Sequence, residues 1–221
     1  MARALIIGSS GAVGSALVAA LRADGVDVTG LSRRDDSLDV SDESSVARHL
    51  GSLEPAFDLV IVATGALVVD GAKPEKAVRE ITADGLLGQF RVNALGPVLV
   101  LKHALRLLPK DRRAVFAALS ARVGSIGDNR LGGWHSYRAS KAALNQLIHG
   151  AAVELARTNR EAIVVCLHPG TVESPLTADY AGRHKTVPPE EAARNLLGVI
   201  AGLEETDSGG FFDYAGKRIP W

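Results

Sequence analysis

The sequence predicts the α/β class: a mostly parallel sheet with helices on both faces. Three observations predict it. Short apolar runs alternate with longer stretches of helical periodicity along the chain. The first of those runs, Ala4 to Ile7, is continuously apolar, as a strand covered on both faces must be. A Gly/Ser cluster follows it directly, where the strand must turn into a helix.

The elements follow in order. After Ala4 to Ile7, residues Val13, Leu17, Ala20 and Leu21 recur at helical spacing. Val26 to Leu31 reads as the second strand. Ser41 to Leu50 reads as a helix capped by Ser41 or Asp42. Asp58 to Ala63 is a third, more apolar strand. Val92 to Leu108 reads as a long helix, with Leu95, Val98, Leu99, Lys102 and Leu105 along its length. Pro97 falls near its start, where a missing N–H costs least. Ala114 to Leu119 is a strand and Ser136 to Arg157 a long helix. Ala162 to Leu167 is a strand ended by His168-Pro169-Gly170. Pro188-Pro189-Glu190-Glu191 opens a helix to about Leu203, and Gly209 to Asp213 gives a last short strand. With no linker, repeat or low-complexity tract, one domain over residues 1–221 is expected. Gly124 to His135 and Glu173 to Val187 are irregular and follow strands at their carboxyl ends, so they are candidates for substrate contacts.

Composition excludes several classes. The 221 residues carry 25 Lys+Arg against 25 Asp+Glu and no long basic block, which argues against nucleic-acid binding through phosphates. Aromatics are 5% while Gly numbers 23, so the core is aliphatic and Ala-rich. The single Cys166 precludes an internal disulfide and reads as a buried small hydrophobe in a reducing compartment. No apolar run is long enough to span a bilayer and no targeting segment is visible, so a soluble cytoplasmic protein is expected, without membrane contact. The six histidines lack metal-ligand spacing, and no metal is expected.

Gly8-Ser9-Ser10-Gly11-Ala12-Val13-Gly14 follows the first strand and opens the first helix. Such a turn brings backbone N–H groups and a helix N-terminus to a pyrophosphate. An acid usually ends the second strand of an NAD site; here stand Ser32, Arg33 and Arg34, which suit a 2′-phosphate. NADP is therefore the expected cofactor, with NAD the alternative and a solvated basic turn the plain reading. In Leu38-Asp39-Val40, Asp39 is a candidate acceptor for an adenine amino group, or else an ordinary loop acid. The four-residue spacing of Tyr137 and Lys141 puts both on one helix face. An ammonium beside a phenol lowers its pKa and makes it a usable acid toward a carbonyl or base toward an alcohol. The same Lys141 can bond nicotinamide-ribose hydroxyls. Trp134 and His135, just before the tyrosine, are pocket candidates or ordinary packing and loop residues.

In this order the glycine turn, Asn93 in Val92-Asn93-Ala94, Tyr137 to Lys141 and Pro169-Gly170-Thr171-Val172 resemble the short-chain dehydrogenase/reductase family over essentially the full length. That family has a Rossmann-type fold. Gly124 to Asn129, Gly132-Gly133-Trp134 and the ending Gly216 to Trp221 look like its C-factor-like branch, which joins small carbonyl reductases and a cell–cell signalling protein. The resemblance implies NADP(H)-dependent reduction of a small-molecule carbonyl to an alcohol. Tyr137 would be the acid/base, Lys141 its activator, and Asn93 the holder of a relay water through a local helix irregularity. Pro169, Gly170, Val172 and Ser174 would cover the nicotinamide. Ala63-Thr64-Gly65 stands where the family usually reads Asn-Ala-Gly beside the cofactor, and Ala12 where a second glycine is common. Ser120-Ala121 stands where it tends to read Ser-Ser with the second serine orienting the carbonyl, so Ser120 is favoured for that role and Ser125 is the other candidate. Pairing of the long helices into a homodimer or homotetramer is also implied. A dinucleotide-binding signalling or scaffold role that does not depend on turnover is the alternative.

Overall fold

The computed structural model describes residues 2–174 and 186–221. Strands β1 (Arg3–Ile7), β2 (Asp27–Leu31), β3 (Leu59–Val62), β4 (Ala114–Leu119), β5 (Ala162–His168) and β6 (Phe211–Asp213) form a parallel sheet in the order β2-β1-β3-β4-β5-β6. This is the doubly wound Rossmann-type arrangement expected from the alternation. Parallel strands need crossovers, and these lay helices on both faces. Helices α1 (Ala12–Ala23) and α7 (Pro189–Ala201) cover one face. On the other lie α3 (Glu43–Gly51), α5 (Gly96–Ala104) and α6 (His135–Leu155). The period of two divides β4 between them: Ala114, Phe116 and Ala118 face α5 and α6, and Val115, Ala117 and Leu119 face the α1/α7 layer.

Local signals set the helix ends. Asp42 caps α3 by accepting from the Ser44 N–H at 3.0 Å. Pro189 opens α7, with Glu190 and Glu191 in its first turn against the dipole. The sequence expectation differs from the structure between residues 83 and 108. Helix α4 (Ala83–Phe90) starts nine residues before Val92, capped by Thr82, whose Oγ1 accepts from the Gly85 N–H at 3.1 Å. A π turn over Arg91–Leu95 links it to α5, and a 3₁₀ turn ends the run at Leu107. Pro97 thus lies inside a helical run. It removes the N–H that an α-helix would send to the Asn93 carbonyl, next to the widened turn. A four-residue helix α2 (Arg33–Asp36) was also not expected.

The strand order reverses between β1 and β3, so their carboxyl ends open a crevice. Of the expected substrate loop Glu173 to Val187, residues 175–185 lie outside the described residues. Its ends meet: Val172 and Val187 form a parallel bridge, and the Glu173 N–H donates to the Val187 carbonyl at 2.9 Å. No helix of the described residues is long and apolar enough to cross a membrane.

Candidate active site

At the crevice, the Gly8 and Ser9 N–H groups both donate to the Leu31 carbonyl, at 2.7 and 3.2 Å, folding the turn over β2. Gly8 has φ +87°, and a Cβ there would lie 3.0 Å from Thr64 Cγ2 and 3.1 Å from the Ala63 carbonyl. A Cβ on Gly14 would lie 2.1 Å from the Gly8 oxygen, so the turn closes only with glycine at that position. Ser10, Ala12 and Val13 complete the entry to α1. Its N-cap Gly11 carries no side-chain cap and its first turn no acid, which leaves the helix N-terminus uncompensated.

Beyond β2, Ser32 is buried and caps α2 by accepting from the Asp35 N–H at 3.0 Å. The two arginines differ. Arg34 pairs with Asp35 at 3.0 Å, whereas the exposed Arg33 guanidinium has no hydrogen bond or ion pair among the described residues. Asp39 is exposed, and its Oδ1 already accepts from the Ser41 N–H and hydroxyl at 2.9 and 2.7 Å. Val40 packs where a Cβ on Gly96 would fall. Across the crevice, Thr64 Oγ1 is buried without a hydrogen-bond partner among the described residues. An open helix N-terminus, an unpaired cation and an orphaned hydroxyl around one crevice fit a phosphorylated dinucleotide. At its far side, Gly170 has φ +81° and Val172 is buried. Ser174 Oγ donates to the Val172 carbonyl at 3.4 Å.

The buried Asn93 sits at the centre of the π turn. Its Oδ1 accepts from the Ala66 N–H at 2.9 Å, and its Nδ2 donates to the Ala66 carbonyl at 2.8 Å and to Gln89 Oε1 at 2.5 Å. Helix α6 carries Tyr137 and Lys141. Lys141 is buried, and its Nζ donates to the Leu119 carbonyl at the end of β4 at 2.9 Å. Burial draws the Lys141 ammonium down to about 8 and pushes the Tyr137 phenol up to about 12. The expected lowering of the phenol by Lys141 is therefore not found: desolvation dominates.

The hydroxyls of Ser120 and Ser125 each have partners within the protein. Ser120 is buried and donates to Asn145 Oδ1 at 2.6 Å; Ser125 donates to the Pro220 carbonyl and accepts from the Asp128 N–H at 3.1 Å. Asn145 lies eight residues beyond Tyr137, about 12 Å along the helix at 1.5 Å per residue. Sequence reasoning also missed the supports of α6. Glu75 receives the Ser136 N–H at 3.1 Å and the Ser136 hydroxyl, 61 residues away in the chain. Arg138 donates to the carbonyls of Gly132, Gly133 and Val123. No local spacing marks such long-range pairs. Among the described residues, no cluster of His, Cys, Asp and Glu suits a metal ion.

Comparison with known proteins gives this geometry a family. The chain matches, over residues 13–207, the family model described as enoyl-(acyl carrier protein) reductase, of the short-chain dehydrogenase type. It is 32% identical over 212 residues to 1-hydroxy-2-glutathionyl-2-methyl-3-butene dehydrogenase of Rhodococcus sp., covering 94% of this chain and 89% of the relative. It is 38% identical over 132 residues to C-signal of Myxococcus xanthus, covering 60% of this chain and 76% of that one. Its fold is shared by carbonyl reductase Sniffer of D. melanogaster (TM-score 0.82, 21% identity, 100% of both chains). The NADPH-bound carbonyl reductase from chicken fatty liver is similar too (TM-score 0.84, 22% identity, 99% of this chain and 98% of that one). The chain belongs to the short-chain dehydrogenase/reductase family of NAD(P)-dependent oxidoreductases, among whose members C-signal is one of its relatives.

Proposed function

We propose that the protein is an NADP(H)-dependent reductase of small carbonyl compounds, with Tyr137 as the proton donor, acting as one domain over residues 1–221. The observation that carries this reading is the shared setting of Tyr137 and Lys141. One helix face holds both, and Lys141 reaches the end of β4 beside the crevice through the Leu119 carbonyl. When bound, the cofactor supplies the hydride. The turn Gly8 to Gly14 and Thr64 hold its phosphates and ribose, and Arg33 meets the 2′-phosphate. Pro169, Gly170, Val172 and Ser174 cover the nicotinamide. The phenol of Tyr137 gives its proton to the carbonyl oxygen, and a phenol held up to about 12 is fully protonated at neutral pH. Lys141 replenishes that proton from a relay that ends at Asn93. NADPH-bound carbonyl reductases of the same fold support this choice of cofactor.

A second reading has two observations behind it. C-signal of Myxococcus xanthus is among the relatives, and Ala121 replaces the expected serine. In that reading the protein binds a dinucleotide and signals without turnover. We place the protein in the cytoplasm, given the buried, unpaired Cys166. We also infer a homodimer or homotetramer, given exposed Leu87 and Leu95 on the α4–α5 run and Leu147 and Val153 on α6.

The test compares wild type and Tyr137→Phe on a panel of aldehydes and ketones with NADPH and NADH. Nicotinamide fluorescence follows binding and absorbance follows turnover. Intact NADPH binding with turnover lowered by about 10²–10⁴-fold in the variant is expected. Turnover within about threefold of wild type, a barrier change under ~0.7 kcal/mol, removes Tyr137 from the role. NADPH binding without turnover of any compound by wild type moves the signalling reading ahead.

A further inference from the structure

Helix α6 begins in an unusual way. Gly132, Gly133 and Trp134 all have positive φ, at +63°, +65° and +51°. Trp134 occupies the N-cap position and offers no side-chain cap. A run of three left-handed residues that ends on a tryptophan is held only if its surroundings over-determine it. One residue from a distant loop supplies that hold. The Glu75 carbonyl accepts from the Trp134 N–H at 2.5 Å. The Glu75 carboxylate accepts from the Ser136 N–H at 3.1 Å through one oxygen and from the Ser136 hydroxyl through the other. Glu75 is 8% exposed and Ser136 2%, so these bonds are shielded from water. The carboxylate also sits where the helix N-terminus favours negative charge. Desolvation works against its ionisation, yet the Ser136 hydroxyl and backbone donors outweigh it and hold Glu75 below the usual carboxylate range.

Tyr137 is the next residue along. Trp134 meets its ring edge-on, with centroids 6.1 Å apart and planes at 70°. Glu75 thus bonds the residues on both sides of His135, in the turn that delivers the phenol. A carboxylate can serve two donors at once in this way, whereas a local Ser or Asp cap normally serves one or two amides of its own helix.

We propose that Glu75 is a positioning residue for Tyr137, acting as the cap of α6 from another loop and fixing the half-buried setting of the phenol. This rests on the reading of Tyr137 as proton donor for its functional consequence, but its structural part is tested without turnover. Desolvation of the half-buried Tyr137 pushes its phenol up to about 12. Release of the turn exposes it and brings its ionisation down toward about 10.

The experiment is an ultraviolet titration of wild type, Glu75→Ala, Glu75→Gln and Ser136→Ala. Each is read as the difference from the same protein carrying Tyr137→Phe, which isolates this phenol. Up to about pH 11, wild type is expected to show no ionisation of Tyr137, while Glu75→Ala ionises at least about one pH unit lower. Glu75→Gln, whose amide still bonds Ser136, is expected to stay near wild type. Ser136→Ala, which removes one of the two donors, is expected to fall between. With a turned-over carbonyl, kcat falls about 10–100-fold in Glu75→Ala and is restored in Glu75→Gln, while NADPH affinity stays within about threefold. A folded Glu75→Ala whose Tyr137 shows no ionisation up to about pH 11 overturns the proposal. If Glu75→Ala does not fold, Ser136→Ala decides alone: a Tyr137 titration indistinguishable from wild type overturns it. A lowered ionisation with no loss of kcat overturns the positioning role if Tyr137→Phe abolishes turnover, and counts against Tyr137 as donor only if that variant stays active.

Discussion

The hydroxyl of Ser120 donates to Asn145 Oδ1 at 2.6 Å, a buried bond that ties the residue after β4 to the middle of α6. A hydroxyl so engaged is a packing element before it is anything else. Ser120→Ala leaves Asn145 Oδ1 without this donor and is expected to cost about 1–3 kcal/mol of stability. Turnover is expected to stay within about threefold, since one oxyanion donor is worth about 10²–10³-fold when it acts. Ser125→Ala should behave alike, because that hydroxyl holds the Pro220 carbonyl. Thermal melts and steady-state kinetics on the same preparations check both. A hundredfold loss in Ser120→Ala with an unchanged melt assigns the carbonyl-orienting role to Ser120.

How much of this was legible follows from the range of each interaction. Ala114 to Leu119 is found with the expected ends, because a fully buried strand is marked by its own continuous apolar run. The start of α4 was hidden. Gly85 and Gly88 weaken the helical pattern there, and Pro97 imitates a helix start further on. The glycine turn and the Tyr137–Lys141 face were legible because both are local spacings. The bond of Ser120 to Asn145 spans 25 residues and that of Ser136 to Glu75 spans 61, and neither pair leaves a periodic trace. The phenol's upward shift was illegible for another reason: burial, not sequence proximity to Lys141, decides it.

Arg33 and Arg34 are adjacent but not equivalent. Arg34 is paired with Asp35, while Arg33 is left to meet an incoming anion. Wild type is expected to bind NADPH at least about tenfold more tightly than NADH, worth ~1.4 kcal/mol. Arg33→Ala should erase most of that preference and Arg34→Ala much less, because the Arg34 guanidinium is already engaged by Asp35. Fluorescence titrations with both cofactors measure it. Equal wild-type affinities, or a larger loss in Arg34→Ala, contradict the assignment.

Gly65 lies where Asn93 and Lys141 converge. A Cβ there would sit 3.2 Å from Asn93 Oδ1 and 3.4 Å from Lys141 Nζ. Asn93 is locked by three hydrogen bonds, so the lysine end must give way. Gly65→Ala is expected to keep the fold and lower turnover about 10–100-fold by displacing the ammonium. Circular dichroism and kinetics read the two effects separately. Turnover within about threefold of wild type would show that Lys141 needs no fixed position.

His168 ends β5 and links stability to pH. Burial, with the Arg122 guanidinium adding to it and Asp213 opposing, draws its imidazole down to about 4, and its Nδ1 has no partner among the described residues. Asp213 offers little relief, because it already binds Arg122 at 3.1 Å and accepts from the Ala215 and Lys217 N–H groups. The sign follows from proton counts. Between about 4 and about 6.5 the unfolded chain binds the proton and the folded protein does not, so unfolding is favoured as pH falls. The stability tied to neutral His168 is complete above about pH 6.5 and lost progressively toward about pH 4. From pH 7 to 5, wild type should lose about 2 kcal/mol more than His168→Leu, in which nothing titrates at this position. Urea unfolding at the two pH values measures the difference. Parallel losses in both proteins would mean that the imidazole protonates in place without penalty.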